Sequence, residues 1–296
     1  MNQGKVCIEV ALNGPWTRRV QPTIPLAPEE IISAAIECAR AGASIIHFHA
    51  YDPSTGEQTT EFDVVICIVE EIRAKVNAVV IPAIRYMSNA ESIQDDSGQK
   101  RYAHLEHMAT RGIAEWLIAD PGSTNLVSYR DIAEDKKALV DINTPSAIRF
   151  ALELAAKYQL HPGFAIYDPG YLRLGAALAR AVKGTPTPMY RLMFSEQFTF
   201  GYRPREYALR SYLEVLAEEA PGAPWMIAGL GVDIRSLIPL TVQLGGHVRV
   251  GLEDALLGST TSNLRLVDEA AQLIEKSGGT VATPAQLRAE LFPKLS

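Results

Sequence analysis

Apolar, β-rich runs alternate with amphipathic helical patterns from one end of this chain to the other, and nothing else in the sequence restricts the fold as strongly. Eight runs read as strands: Val6–Leu12, Ser44–His49, Ala78–Ile84, Glu115–Ala119, Gly163–Tyr167, Met189–Phe194, Trp225–Gly229 and His247–Gly251. Helical spacing predicts helices over Pro28–Ala41, Phe62–Lys75, Pro145–Tyr158, Tyr171–Val182, Arg205–Glu219, Ile234–Leu244 and Ser262–Lys276. In the first helix Pro28 takes the first helical position, and Glu29 and Glu30 fall where the helix dipole favours acids. Several strands are apolar continuously instead of alternately, as in a parallel sheet covered on both faces. Eight strand–helix pairs in 296 residues give the arithmetic of an α/β protein of the (β/α)8 TIM-barrel type, with residues 1–296 as a single domain. The competing architecture is a doubly wound sheet with a small lid, but no break in composition separates two domains. Two places resist the pattern. Asp95-Asp96-Ser97-Gly98 interrupts the segment from Ser92 to Arg111, and Pro82 cannot donate to a strand ladder.

Hydrophobic residues at 47% supply a large core, and a net charge of −6 argues against a dedicated nucleic-acid binder, which would show a basic face. Cys7, Cys38 and Cys67 have no CxxC spacing and read as small buried hydrophobes in a reducing compartment. A start that passes from Asn2-Gln3-Gly4-Lys5 directly into a strand predicts no signal peptide, and no apolar run approaches the roughly 20 residues of a membrane helix. A soluble, cytoplasmic protein is the expectation.

The chemistry centres on His47-Phe48-His49 at the end of the second strand. Side chains alternate on a strand, so both imidazoles project to one face about 7 Å apart and can grip one transition metal. In a barrel of this kind the reactive groups gather at the C-terminal ends of the strands. The last strand reads Gly245-Gly246-His247-Val248-Arg249-Val250-Gly251-Leu252-Glu253-Asp254, with Arg249, Gly251 and Glu253 on one face. When the barrel closes, strand one alone separates strands two and eight, which brings Glu253 within reach of a metal held by His47 and His49. Two histidines and one carboxylate leave coordination positions open, as a catalytic centre requires. Zinc is the first choice, a Lewis acid without redox chemistry, with ferrous iron second. Asp254 would be a second carboxylate, kept ionised by Arg249. Taken without the histidines, Arg249, Glu253 and Asp254 would also suit a salt-bridged barrel rim.

Other candidates carry less. His104 and His107, with Arg101, Glu106 and Arg111 nearby, read as a solvated helix surface. His161 before Pro162 reads as a loop residue, and His247, at the N-terminal end of its strand, as structural. Gly122-Ser123-Thr124-Asn125 offers amides and hydroxyls to an anion, or is a plain turn. Trp225 reads as core, and Gly229-Leu230-Gly231 is too short for a dinucleotide loop.

These residues resemble the β-keto acid cleavage enzymes, the family typified by 3-keto-5-aminohexanoate cleavage enzyme. The likeness rests on Asn13-Gly14, Pro25-Leu26-Ala27-Pro28-Glu29-Glu30, the Ala39–Ala50 segment, Gly122-Ser123-Thr124-Asn125, Tyr167-Asp168-Pro169-Gly170, Trp225, the run from Gly245 to Asp254, and Val281-Ala282-Thr283-Pro284. The resemblance implies a zinc-dependent barrel, tetrameric and cytoplasmic, that condenses a 3-oxo acid with acetyl-CoA and releases acetoacetate and a new acyl-CoA. It implies His47, His49 and Glu253 as metal ligands, Asp254 as the base and Arg249 as its partner; Asn13, Arg85, Ser123 and Asn125 are the candidate substrate contacts. Its partners would be a small 3-oxo acid and a CoA thioester, with no nucleic acid and no membrane.

The chain departs from the family pattern in its substrate shell. Near Gly14, members acting on amino substrates carry an acid, whereas here the stretch is Pro15-Trp16-Thr17-Arg18-Arg19. Ala83-Ile84-Arg85-Tyr86 replaces small hydroxyl and glycine residues, Gly163 and Ala165 stand where acids are usual, and Ala255 replaces an asparagine. A substrate without an ammonium group is expected, with Arg85 available to an anion. Two rivals are a CoA-independent metal-dependent aldolase or lyase, and a barrel whose metal is non-catalytic.

Overall fold

The computed structural model describes residues 4–84, 91, 96–136 and 139–291. Eight strands make one sheet: β1 (Ile8–Ala11), β2 (Ala43–Phe48), β3 (Val79–Pro82), β4 (Trp116–Ile118), β5 (His161–Ile166), β6 (Met189–Phe194), β7 (Trp225–Gly229) and β8 (His247–Val250). Their order is β3-β2-β1-β8-β7-β6-β5-β4, so β1 lies between β2 and β8. The pairings β5–β6, β4–β5, β7–β8, β8–β1, β1–β2 and β2–β3 are parallel. The helices that alternate with them are α1 (Pro28–Arg40), α2 (Phe62–Lys75), α3 (Gln99–Thr110), α4 (Pro145–Tyr158), α5 (Pro169–Ala181), α6 (Glu206–Glu219), α7 (Ile238–Leu244) and α8 (Asn263–Lys276). This is the (β/α)8 fold that the alternation predicts. Among the described residues no helix is long and apolar enough to cross a membrane.

The chain divides into two compact units. The first comprises 1–83, 226–228 and 233–296. Here β1, β2 and β3 are buried along their whole length, as continuous apolar runs predict. Helix α1 begins where Glu30 accepts the Leu26 and Ala27 amides (2.9 and 3.0 Å), and it buries Ile31, Ala35 and Cys38. At the start of α8, Asn263 accepts the Leu252 amide (2.9 Å) and donates to the Leu12 carbonyl (2.8 Å), which ties the ends of β1 and β8 together. His247 is structural as expected: its Nδ1 accepts the Cys7 amide at 3.2 Å, and burial pushes its pKa down to about 4. Val6, expected at the start of the first strand, instead pairs with Val281, and Lys5 beside it with Thr280. Pro82 sits opposite Phe48 at the last position of β3, and the ladder resumes when the Ala83 amide donates to the Phe48 carbonyl (2.8 Å).

The second unit comprises 84–225 and 229–232. Thr144 caps α4 by accepting the Ala147 amide (3.1 Å), with Pro145 at the first helical position. Three expectations are corrected. His161 opens β5 fully buried, its ring 4.6 Å from that of Trp116, and does not lie in a loop. Arg101 and His104 are buried on α3, because Arg101 reaches inward to Asp141 (3.0 Å) and the Ile142 carbonyl (3.2 Å); His107 and Arg111 keep to the surface as expected, with Glu106 half-buried. The buried Arg191 is accommodated by the missing side chain of Gly163, whose Cβ would lie 2.2 Å from Nη1. In the first unit the third correction falls on Cys67, which is exposed while Cys7 and Cys38 are buried.

Candidate active site

Every residue of the candidate centre comes from the first unit. His47 is the fifth residue of β2, and His49 follows directly after the strand. The Asn13 side chain fixes that second position, accepting the His49 amide (2.9 Å) and donating to the His49 carbonyl (2.9 Å) and the Pro25 carbonyl (3.0 Å). Asn13 is fully buried, so the structure gives it the task of holding His49. The two imidazole centroids stand 5.3 Å apart.

The carboxylates arrive by a bend. Strand β8 stops at Val250, and Gly251 adopts φ 145°, with the place of its absent Cβ only 2.0 Å from the Ala11 carbonyl oxygen. No other residue type allows this close approach of the two backbones. The strand period therefore ends before Glu253. The turn fixes that residue instead: its amide donates to the Ala11 carbonyl (3.2 Å) and its carbonyl accepts the Trp16 indole (2.8 Å).

The bend sets Glu253 against both histidines. His47 Nε2 lies 3.3 Å from Glu253 Oε2, and His49 Nε2 lies 3.6 Å from Oε1. His47 Nδ1 is 3.0 Å from the Ile81 carbonyl, which can only accept, so Nδ1 carries the proton and Nε2 presents a lone pair. Burial pushes the His47 pKa down to about 3 and keeps the ring neutral. A lone pair facing a carboxylate oxygen that is buried without a hydrogen-bond partner is repulsive unless a cation lies between them. Metal bonds of about 2.05 Å at the tetrahedral angle separate two donor atoms by roughly 3.3 Å. The ligand atoms of His47, His49 and Glu253, all within 4.8 Å of one another, fit that demand.

Beside this trio Arg249 forms a fork. Its Nε and Nη2 donate to Asp254 (2.8 and 2.9 Å), Nη2 also lies 3.0 Å from Glu253 Oε1, and Nη1 donates to Glu9 (3.1 Å). Burial raises the Asp254 pKa to about 6 against the pull of Arg249. Burial also raises Glu253, but the Arg249 guanidinium, the strongest opposing influence, holds it well below the usual carboxylate range. Glu9, fully buried on β1 and in register with Arg249, escaped the sequence reading. A lone acid in the run Cys7-Ile8-Glu9-Val10 was the available signal, since a fully buried glutamate requires a partner.

The remaining sequence candidates belong to the second unit or fall outside the described residues. Ser123 and Asn125 are exposed in the second unit, and the Ser123 hydroxyl accepts the Asn143 amide (2.9 Å), which makes that loop at least partly a structural turn. Arg85 lies outside the described residues.

The fold and the cluster define a class, a (β/α)8 protein with a candidate metal centre and an arginine-held acid where β1, β2 and β8 end. The chain belongs to the β-keto acid cleavage enzyme family, whose sequence pattern matches residues 5–292. It is 28% identical over 296 residues to a 3-oxoadipate:acetyl-CoA acetyltransferase of Cupriavidus necator, covering 96% of this chain and 93% of that one. It is 26% identical over 281 residues to a 3-dehydrocarnitine:acetyl-CoA trimethylamine transferase of Rhizobium meliloti, covering 90% and 89%. The apo structure of ObcA superposes with a TM-score of 0.71 at 16% identity, over 91% of this chain and 65% of that one. At that identity the likeness concerns the fold alone, and the chain spans about two thirds of ObcA's length.

Proposed function

We propose that this chain is a metal-dependent acyltransferase that condenses a 3-oxo acid with acetyl-CoA and releases acetoacetate and a new acyl-CoA. The observation that carries the proposal is the bare Nε2 of His47 facing Glu253 at 3.3 Å beside an acid gripped by Arg249. His47, His49 and Glu253 would hold the metal, zinc before ferrous iron, because N and O donors with open positions suit it. When bound, the metal supplies Lewis-acid polarisation of the substrate's keto carbonyl. Asp254 accepts a proton from the carbon between the keto and carboxylate groups, and Arg249 keeps that carboxyl oriented and mostly ionised at neutral pH. The resulting carbanion bonds to the acetyl carbonyl carbon and CoA leaves as thiolate. The thiolate then adds to the original keto carbon, the old carbon–carbon bond breaks, and the departing carbanion takes the proton back from Asp254 to leave as acetoacetate. The names of the two relatives, both acetyl-CoA transferases, support acetyl-CoA as the co-substrate.

The shell around Gly14 supports a substrate without an ammonium group. Gly14 has φ 63°, and a Cβ there would lie 2.6 Å from Glu253 Cγ, so no acid fits at that position. Tyr51 donates to the Gly14 and Trp16 carbonyls (2.7 and 3.0 Å) and closes the loop over its own backbone. Arg85, Ser123 and Asn125 remain the proposed contacts to the substrate's anionic groups.

Metal analysis of the purified protein tests the centre. About one zinc per chain is expected, lost in Glu253→Ala and in the double variant His47→Ala, His49→Ala. No metal in the wild type after zinc is supplied would leave a barrel without this chemistry. Turnover of neutral or acidic 3-oxo acids only with acetyl-CoA is expected; turnover without CoA would favour an aldolase, and preference for an amino substrate would refute the shell reading. A tetramer is part of the same proposal, and sedimentation tests it.

A further inference from the structure

The two histidines of the centre are held differently. His47 Nδ1 meets a backbone carbonyl, which no substitution at a contacting side chain can remove. His49 Nδ1 meets a side chain, with the amide Nε2 of Gln58 turned toward it at 2.5 Å. Gln58 arrives there through a hairpin that starts one residue after His49: Ala50–Tyr51 pairs antiparallel with Gln58–Thr59. The connecting turn is closed by the Asp52 amide on the Glu57 carbonyl (2.8 Å) and the Gly56 amide on the Asp52 carbonyl (2.7 Å), with Gly56 at φ 72°. Asp52 also accepts the Ser54 amide (2.7 Å), so the excursion out and back is built to return Gln58 to the imidazole.

An amide has one accepting and one donating end, exchanged by a half-turn about its last bond. With its oxygen on Nδ1 it takes the ring proton and leaves Nε2 bare toward Glu253. With its nitrogen there it donates, and the ring proton must move to Nε2, where it blocks a metal and instead faces Glu253 Oε1 at 3.6 Å. We propose that Gln58 is the positioning residue of the centre: its amide oxygen accepts the His49 Nδ1 proton and so prepares Nε2 as a ligand, and its half-turn accompanies metal loading. This rests on the metal-site reading above. Outer partners of this type orient a ligating histidine and fix its tautomer.

The test is competition for zinc, and separately for cobalt, between the metal-free protein and a chromophoric chelator. Gln58→Ala is expected to weaken both metals about 10- to 100-fold. Gln58→Glu, whose carboxylate accepts the same proton, is expected to stay within a few-fold of wild type. The cobalt absorption bands should shift in the alanine variant and return in the glutamate one. Urea midpoints of the metal-free variants separate lost positioning from lost folding. Wild-type affinity in Gln58→Ala, or equal weakening in both variants, overturns the role of Gln58. Failure of the wild type to bind either metal overturns the underlying site as well.

Discussion

Glu253 and Asp254 are neighbours in the chain, yet their surroundings pull them apart. Glu253 is held ionised chiefly by the Arg249 guanidinium, while burial lifts Asp254 to about 6. Replacing each should therefore have a different signature. Asp254→Asn keeps the metal and lowers kcat by about 10²- to 10⁴-fold, the usual contribution of a positioned base; metal loss in that variant would show that Asp254 helps hold the ion. Glu253→Ala loses the metal first. Glu9→Ala leaves a buried guanidinium with one partner fewer and should cost about 3 kcal/mol in urea unfolding, whereas an unchanged midpoint would make Glu9 dispensable. That His47 and His49 would lie near Arg249 and the Glu253-Asp254 pair could be read from the sequence, because barrel order sets β2 and β8 on either side of β1. Glu9 and Gln58 could not. A buried glutamate looks like any charged residue until its partner is seen, and Gln58 acts through a hairpin whose turn residues signal a turn but not its target.

The elements followed their apolar periods closely, and they departed where backbone chemistry overrode pattern. His161-Pro162 reads as a loop because proline lacks a donor, yet β5 accepts Pro162 opposite Leu117 and buries His161 against Trp116. Arg101 looks solvated on a helical wheel, but a long side chain can reach an inward acid such as Asp141. The strand period along β8 suggested that Glu253 would approach the histidines; the structure brings it there by the bend at Gly251 instead. Gly251→Ala is expected to be among the most damaging single-methyl changes in the chain. The new Cβ would meet the Ala11 carbonyl, and the backbone angle is strained for any side chain. A loss of about 2–4 kcal/mol should appear in unfolding, together with displaced Glu253 and lost metal. A fully stable, metal-loaded variant would mean the turn can relax without Gly251.

Across the whole molecule, buried imidazoles couple stability to acidity. Burial pushes His161 down to about 3 and His247 to about 4, against about 6.5 in an unfolded chain. The unfolded state takes up protons that the folded state refuses, so their contribution is complete above about pH 6.5 and is lost as pH falls toward 4. Asp120 and Asp254, both lifted by burial to about 6, work the opposite way, and His47, pushed down by burial to about 3, offsets part of their effect. Stability should fall by roughly 2–3 kcal/mol between pH 7 and pH 5, at about 1.4 kcal/mol per pH unit for each histidine. Urea midpoints at the two pH values check this, and His247→Gln should remove about 2 kcal/mol of the difference. An equal pH response in that variant would place the acid sensitivity elsewhere.

Around Arg249, the carboxylates of Glu9, Glu253 and Asp254 outnumber the single guanidinium. Without a metal the pocket is a repulsive place for an incoming anion, and a 3-oxo acid is an anion. The charges thereby set an order in time. On the proposed function the divalent ion would enter first and cancel the net negative charge that the substrate meets, the keto acid would follow, and a chelator would weaken substrate binding without touching a single substrate contact.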